Sequence, residues 1–201
     1  TLSAESRGYG IGETLSIQAT WDYIVVVDGT PRLKGSNGSE AIYSSGSGSS
    51  TLVFSYIIQA GDVSTTDMSV EEYTGTITDA SGDPVRQISG DLGSVVIDTN
   101  PPLLTLQGDV NVTIEHGSNY SDIGASAADN VDGDLSSKIE VVSTVNTDKV
   151  GEYTVTYTVS DSSGNEAVEV KRVVRVVDTT GPVITLVGSA AKTVEAKSVY
   201  I

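Results

Sequence analysis

The chain has 201 residues, a formal net charge of −16 and no cysteine. Such an acidic surface repels nucleic-acid phosphates and anionic lipid, and the missing thiols exclude disulfide staples and thiolate metal sites. No apolar run reaches the ~18 residues of a membrane span, so neither nucleic-acid binding nor membrane insertion is expected of this stretch.

Glu13 to Thr20 alternates Leu15, Ile17 and Ala19 with polar neighbours, the period of two of a half-buried strand. Tyr23 to Val27 is an unbroken apolar, β-branched run and predicts a strand buried on both faces. Polar Gly/Ser loops follow at 35–38 and 44–50, and Thr51 to Gln59 alternates again through Leu52, Phe54, Tyr56 and Ile58. Further on, Tyr153, Val155, Tyr157 and Val159 alternate with threonines; a turn at Asp161-Ser-Ser-Gly-Asn165 and a β-branched run to Val177 complete a last hairpin. No stretch keeps a 3.6-residue period. Short strands separated by turn signals predict antiparallel β-sandwiches.

Asp98-Thr-Asn-Pro-Pro102 returns as Asp178-Thr-Thr-Gly-Pro182, and 178 − 98 gives a period of 80 residues. The register holds at Thr105 and Thr185, Gly108 and Gly188, Glu115 and Glu195, and Tyr120 and Tyr200. Each unit is long enough to bury a core of its own. The expected organisation is therefore end to end: a sandwich at 1–97, a second at 98–178, and the start of a further repeat at 179–201. The chain is expected to be a piece of a longer array, and the lone opening strand after Asp178 to lack a sheet of its own.

Residues 98–178 resemble the immunoglobulin-like repeat of bacterial surface proteins, related to hyalin-type repeats. The resemblance is carried by Asp98 to Pro102, Ile114-Glu115, Tyr120-Ser-Asp122, Gly124, Asp129 to Leu135, Gly151 to Thr158 and Asp161 to Asn165. Residues 3–97 are similar, less sharply, to Ig-like or cadherin-like repeats of large bacterial adhesins through Tyr9 to Glu13, Val27 to Pro31, Leu52 to Tyr56 and Ile77 to Gly82. The resemblance implies an extracellular, multi-domain, non-enzymatic stalk or adhesive array on the bacterial surface, and the segment is expected to be a monomer. Its partners would be neighbouring repeats and a cell-surface or matrix glycan or protein.

In such a sandwich the last hairpin turn lies at the end where the chain enters, and the loop 129–134 opens toward the same end. Asp98, Asn100, Asp129, Asp132, Asp134, Asp161 and Asn165 are then expected at one junction. Taken singly, these loops read as turn formers whose side chains bond their own backbone. Taken together, they read as oxygen ligands for a structural, interdomain Ca²⁺, which suits irregular loops better than octahedral Mg²⁺. On that reading Asp134→Ala should remove most of any calcium effect. The pattern is not an EF-hand, since aligning Gly133 on that loop's glycine places Ala128 and Ile139 at its first and last ligand positions. A second set opens at Asp178, and Asp79 with Asp83 offers a site further upstream.

His116, the only histidine, stands beside Gly117 in a polar turn with no nucleophile motif near it, which argues against a catalytic triad and for a loop residue. The three N-x-S/T matches at Asn37, Asn111 and Asn119 carry no argument, the resemblance being bacterial. The alternative function is carbohydrate binding by the first sandwich, with Trp21, Tyr23 and Tyr43 as ring-stacking platforms. Against it stands the ordinary use of a strand Trp in an Ig-like core.

Overall fold

In a computed structural model, which describes residues 1–188, 190, 191 and 193–197, the first half of the chain is arranged around one long strand. The strands up to residue 97 are β1 (Leu2–Ala4), β2 (Gly8–Tyr9), β3 (Thr14–Gly35), β4 (Glu40–Ser45), β5 (Ser49–Ile57), β6 (Ser69–Asp79), β7 (Gly90–Asp91) and β8 (Val96–Ile97). β3 runs through both segments that the sequence suggested as separate strands. Its first part pairs with β1 and β5, and after a register shift between Thr20 and Val25 its second part pairs with β6 and β4. Because β4 also pairs with β5, β3, β4 and β5 close on one another around a single core. Leu15, Ile17, Ala19, Leu52, Phe54 and Ile58 fill it, as the alternation predicts. Each large side chain so buried contributes roughly 1.5–3 kcal/mol.

The run 23–27 departs from the reading of a strand buried on both faces. Val25 is fully buried, but Tyr23, Ile24 and Val26 are exposed at 41, 53 and 42%. The register shift turns this stretch out of the sandwich, so only one face finds a partner layer. The polar segment 44–50 is a tight turn: Ser47 N donates to Tyr43 Oη, and Ser49 Oγ donates to the Gly46 carbonyl.

The second half builds a smaller sandwich from β9 (Leu103–Leu106), β10 (Asn111–Glu115), β11 (Ala125–Asp129), β12 (Gly133–Asp134), β13 (Glu140–Ser143), β14 (Gly151–Thr158) and β15 (Val170–Val177), with a 3₁₀ turn at Ser136–Lys138. One sheet has the order β12-β11-β9 and the other β10-β15-β14-β13. The first strand crosses between sheets at Gly108, giving β9 to one and β10 to the other. β10 thus lies parallel to β15, and β2 lies parallel to β8 in the first sandwich; among the described residues the other strand pairs are antiparallel. Leu104, Ala127, Leu135 and Val159 pack one part of this core, and Val155, Tyr157 and Val174 another.

Arg172 shares that inward face and is 1% exposed. Its guanidinium donates to Asp122 Oδ2 at 2.5 Å, to the Asp109 carbonyl at 2.9 Å and to the Gln107 carbonyl, while Tyr120 and Tyr157 donate to the same Asp122 carboxylate. Beyond β15 the described residues belong to no strand, and Val183, Ile184 and Leu186 are 89, 92 and 73% exposed. Tyr200, the counterpart of Tyr120, lies outside the described residues. Among those described, no helix is long and apolar enough to cross a membrane.

Candidate metal centre at the junction of the sandwiches

The chain leaves the first sandwich at Asp98, whose N–H donates to the Tyr9 carbonyl at 3.0 Å. Asp98 is 1% exposed. Its Oδ1 accepts from Ser64 Oγ at 3.2 Å and from Asn100 N at 3.1 Å, and its carbonyl accepts from Asn165 Nδ2 at 3.0 Å. Two loops of the second sandwich complete the site. Asp129, at the end of β11, accepts Val131 N and Asp132 N on Oδ1 at 2.7 and 2.9 Å. Asp161, 8% exposed, accepts Ser163 N and Asn165 N on Oδ1 at 2.9 and 2.8 Å. Each carboxylate therefore uses one oxygen to fix its own turn.

The three carboxylates converge. One carboxylate oxygen each from Asp98, Asp129 and Asp161 lies within 4.8 Å of the other two. Asp98 Oδ2 and Asp129 Oδ2 are buried without a hydrogen-bond partner, while Asp161 Oδ2 accepts from Asn165 Nδ2 at 2.8 Å. Burial, and then the charges of Asp129 and Asp161, push the Asp98 carboxyl above the usual carboxylate range, against the hydrogen bonds from Asn100 and Ser64. Like charges at this spacing repel by roughly 3 kcal/mol per pair at an effective dielectric of about 20. The donor set fits a hard divalent cation. With Ca–O bonds of about 2.3–2.6 Å, ligands on opposite sides of one ion stand about 4.6–5.2 Å apart, which the 4.8 Å limit accommodates.

Of the other four predicted ligands, three turn to other partners and one bridges two members of the trio. Asp132 turns to the last hairpin, accepting Ser162 N and Oγ at 2.5 and 2.7 Å, and these bonds hold its pKa down. Asp134 accepts Ser136 N at 2.9 Å ahead of the 3₁₀ turn and does not reach the trio. Asn100 Nδ2 points to Ser64 Oγ at 3.4 Å. Asn165 stays at the junction, as a bridge between the Asp98 carbonyl and Asp161 rather than as one of the three oxygens.

Asp79 forms the same turn as Asp161, accepting Ser81 N and Asp83 N at 2.8 and 3.0 Å, and among the described residues no third acidic group gathers there. Asp178 accepts Thr180 N at 3.2 Å, and the linker after it is held by Glu115, which accepts from the N–H and hydroxyl of both Thr179 and Thr180. His116 Nε2 lies 2.9 Å from the Asp148 carbonyl in an exposed loop. Of the aromatics, Trp21 and Tyr23 share an open groove with Asp22, Arg86 and Gln87, whereas Tyr43 packs edge-on against Phe54 at 6.0 Å and is absent from it. The sequence reading missed Ser64, Arg172 and the place of the segment Gly8–Gly10 at the junction. For Arg172 the signal was available, because period two puts it on the face of Val174 and Val176.

Comparison with known proteins bears on the second sandwich. No curated protein matches the chain. A lipoprotein of Bacteroides thetaiotaomicron is 23% identical over 40% of this chain and 40% of its own length, with a TM-score of 0.36. A ZmpB catalytic domain with its CBM51-1 and CBM51-2 domains, from Clostridium perfringens, is 20% identical over 84% of this chain and 19% of its own, with a TM-score of 0.34. Fibronectin(III)-like modules of Clostridium thermocellum CbhA are 11% identical over 92% of this chain and 100% of their own, with a TM-score of 0.35. At these scores the likenesses carry no inference about ligand or activity, and this chain spans only 40% of the lipoprotein's length. The model of the Ig-like domain of bacterial surface proteins matches residues 104–176, and by that match the second sandwich is a bacterial surface Ig-like repeat.

Proposed function

We propose that the chain is a non-enzymatic, extracellular spacer segment of a bacterial surface adhesin. On this reading a calcium ion held by Asp98, Asp129 and Asp161 stiffens the junction of its sandwiches. The observation that carries it is the pair of buried, unpartnered oxygens, Asp98 Oδ2 and Asp129 Oδ2, beside a third carboxylate. The family of the second sandwich supports surface placement. Asp98 belongs to the linker, and Asp129 and Asp161 to the following unit, so a cation joining them would restrict the angle between units that are otherwise mobile. The segment would then act as a monomeric rod whose partners are neighbouring repeats of the same chain. Extracellular calcium modules bind at about 10⁻⁴–10⁻³ M, so such a rod is stiff where calcium is plentiful. The test is thermal unfolding and solution scattering in millimolar calcium against chelator. A higher melting temperature with a longer, narrower particle supports the rod; no change in either removes it.

One observation favours a second reading, saccharide binding by the first sandwich. Trp21 is only partly buried and lines a groove with Tyr23 and the polar groups of Asp22, Arg86 and Gln87. Ring stacking with planar polar partners is the chemistry a sugar needs. Trp21 is the only tryptophan, so its fluorescence reports on the groove directly, and titration with a panel of glycans that leaves the emission unmoved rejects this reading.

A further inference from the structure

We infer that Gly10 is a positioning residue for the junction cation, because the segment Gly8–Gly10, β2 and the residue after it, seats the Asp161–Asn165 turn of the second sandwich only while residue 10 carries no side chain. This rests on the calcium reading and deepens it by naming what sets the distance between Asp98 and Asp161. A Cβ built on Gly10 overlaps the backbone carbonyl oxygen of Ser163 and stands 3.7 Å from Asn165 Oδ1. One built on Gly8 comes to 2.9 Å from Ser163 Oγ, itself a buried hydroxyl with no partner. Neither glycine has positive φ. Nothing within the first sandwich therefore requires glycine at residue 10; the requirement comes from the second sandwich.

The segment is also braced from behind, so it does not give way. Gly10 N donates to Glu13 Oε2 at 2.8 Å, and Glu13 N donates back to the Gly10 carbonyl at 3.2 Å. Arg7 holds both oxygens of Glu13 at 2.9 and 3.1 Å while its guanidinium lies 3.9 Å over the Tyr9 ring. The Tyr9 carbonyl accepts the Asp98 N–H. The same braced segment thus fixes one cation ligand through hydrogen bonding and the other by contact with its turn. A methyl group at residue 10 pushes Ser163 away, and Asn165, which links the Asp98 carbonyl to Asp161 Oδ2, moves with it.

The test uses the whole chain, with calcium affinity read by calorimetry and shape by scattering in chelator. Gly10→Ala is expected to weaken calcium at least tenfold and to broaden the distribution of particle dimensions without any metal present, while the unfolding of the first sandwich stays where it was. Gly181→Ala, whose Cβ meets nothing within 4 Å, serves as the control and keeps wild-type affinity. If Gly10→Ala does not fold, Gly8→Ala, which meets only a side-chain hydroxyl, is expected to lose affinity a few-fold. Wild-type affinity and an unchanged scattering profile in the folded variant overturn the inference. A wild-type chain that takes no calcium removes the functional reading instead, and the chelator scattering then decides the seating by itself.

Discussion

Arg172 sits among Val155, Tyr157 and Val174 with its charge answered by Asp122 and three backbone carbonyls. Removing one member of such a buried pair leaves the other uncompensated, at a cost of about 3–5 kcal/mol. Arg172→Met is expected to lose that much in urea unfolding, and Arg172→Met with Asp122→Leu to recover most of it. Although burial raises it, hydrogen bonds from Tyr120, Tyr157 and Arg172 hold the Asp122 carboxyl at about 2. Its folded pKa is depressed, so its contribution is complete above the unfolded value near 4 and is lost as pH falls through about 2. After allowance for solvent this amounts to about 1–2 kcal/mol, and an acid titration of Asp122→Asn is expected to lack that part of the slope. Asp98 has the opposite sign. Its folded pKa is raised, so stability is present below the unfolded value and lost as pH rises through the folded one. Asp98→Asn keeps an acceptor for Ser64 and Asn100; it is expected to melt higher than the wild type in chelator near neutral pH and to show no calcium response.

Among the strands, β5 pairs with β3 from Thr14 to Thr20, and Leu52 within it is fully buried. Leu52→Ala is expected to cost about 2–5 kcal/mol through lost burial and the cavity left behind, measured by denaturant midpoint. The turn after β12 gives a contrasting case. Asp134 is exposed and accepts one hydrogen bond, from Ser136 N at the start of the 3₁₀ turn, so Asp134→Ala is expected to lower stability by no more than about 1 kcal/mol and to leave calcium affinity unchanged. That outcome separates the trio Asp98, Asp129 and Asp161 from the larger set that the sequence suggested, and a large loss of affinity in this variant refutes the assignment.

For the whole molecule, a net charge of −16 sets the background against which the proposed junction cation would act. If one ion binds the folded state at a Kd of about 10⁻⁴–10⁻³ M, 10 mM calcium adds about 1–3 kcal/mol. Sodium chloride at matched ionic strength screens exposed carboxylates over about a Debye length but does not bridge Asp98 to Asp129 and Asp161. The melting temperature is therefore expected to rise more with calcium than with equal ionic strength of sodium, and an identical rise assigns the effect to general screening.

The sequence by itself determined the strands and their inward faces, because alternation with period two is local: Leu15, Ile17, Ala19, Leu52, Phe54 and Ile58 all point where their neighbours say they must. It also placed acidic turns at one end of the second sandwich, since a hairpin turn's end follows from strand order. Where a run was uniformly apolar, as at 23–27, composition carried no facing information, and the register shift of β3 left three of its side chains outside. Only the tertiary structure decided which oxygens of seven candidate ligands meet. Within one loop, Asp129 and Asp132 are separated by three residues yet turn to different partners, because each Asx turn fixes one carboxylate's direction. The seat at Gly10 was equally invisible to local pattern, since the reason for that glycine is a carbonyl oxygen at residue 163, in the other sandwich.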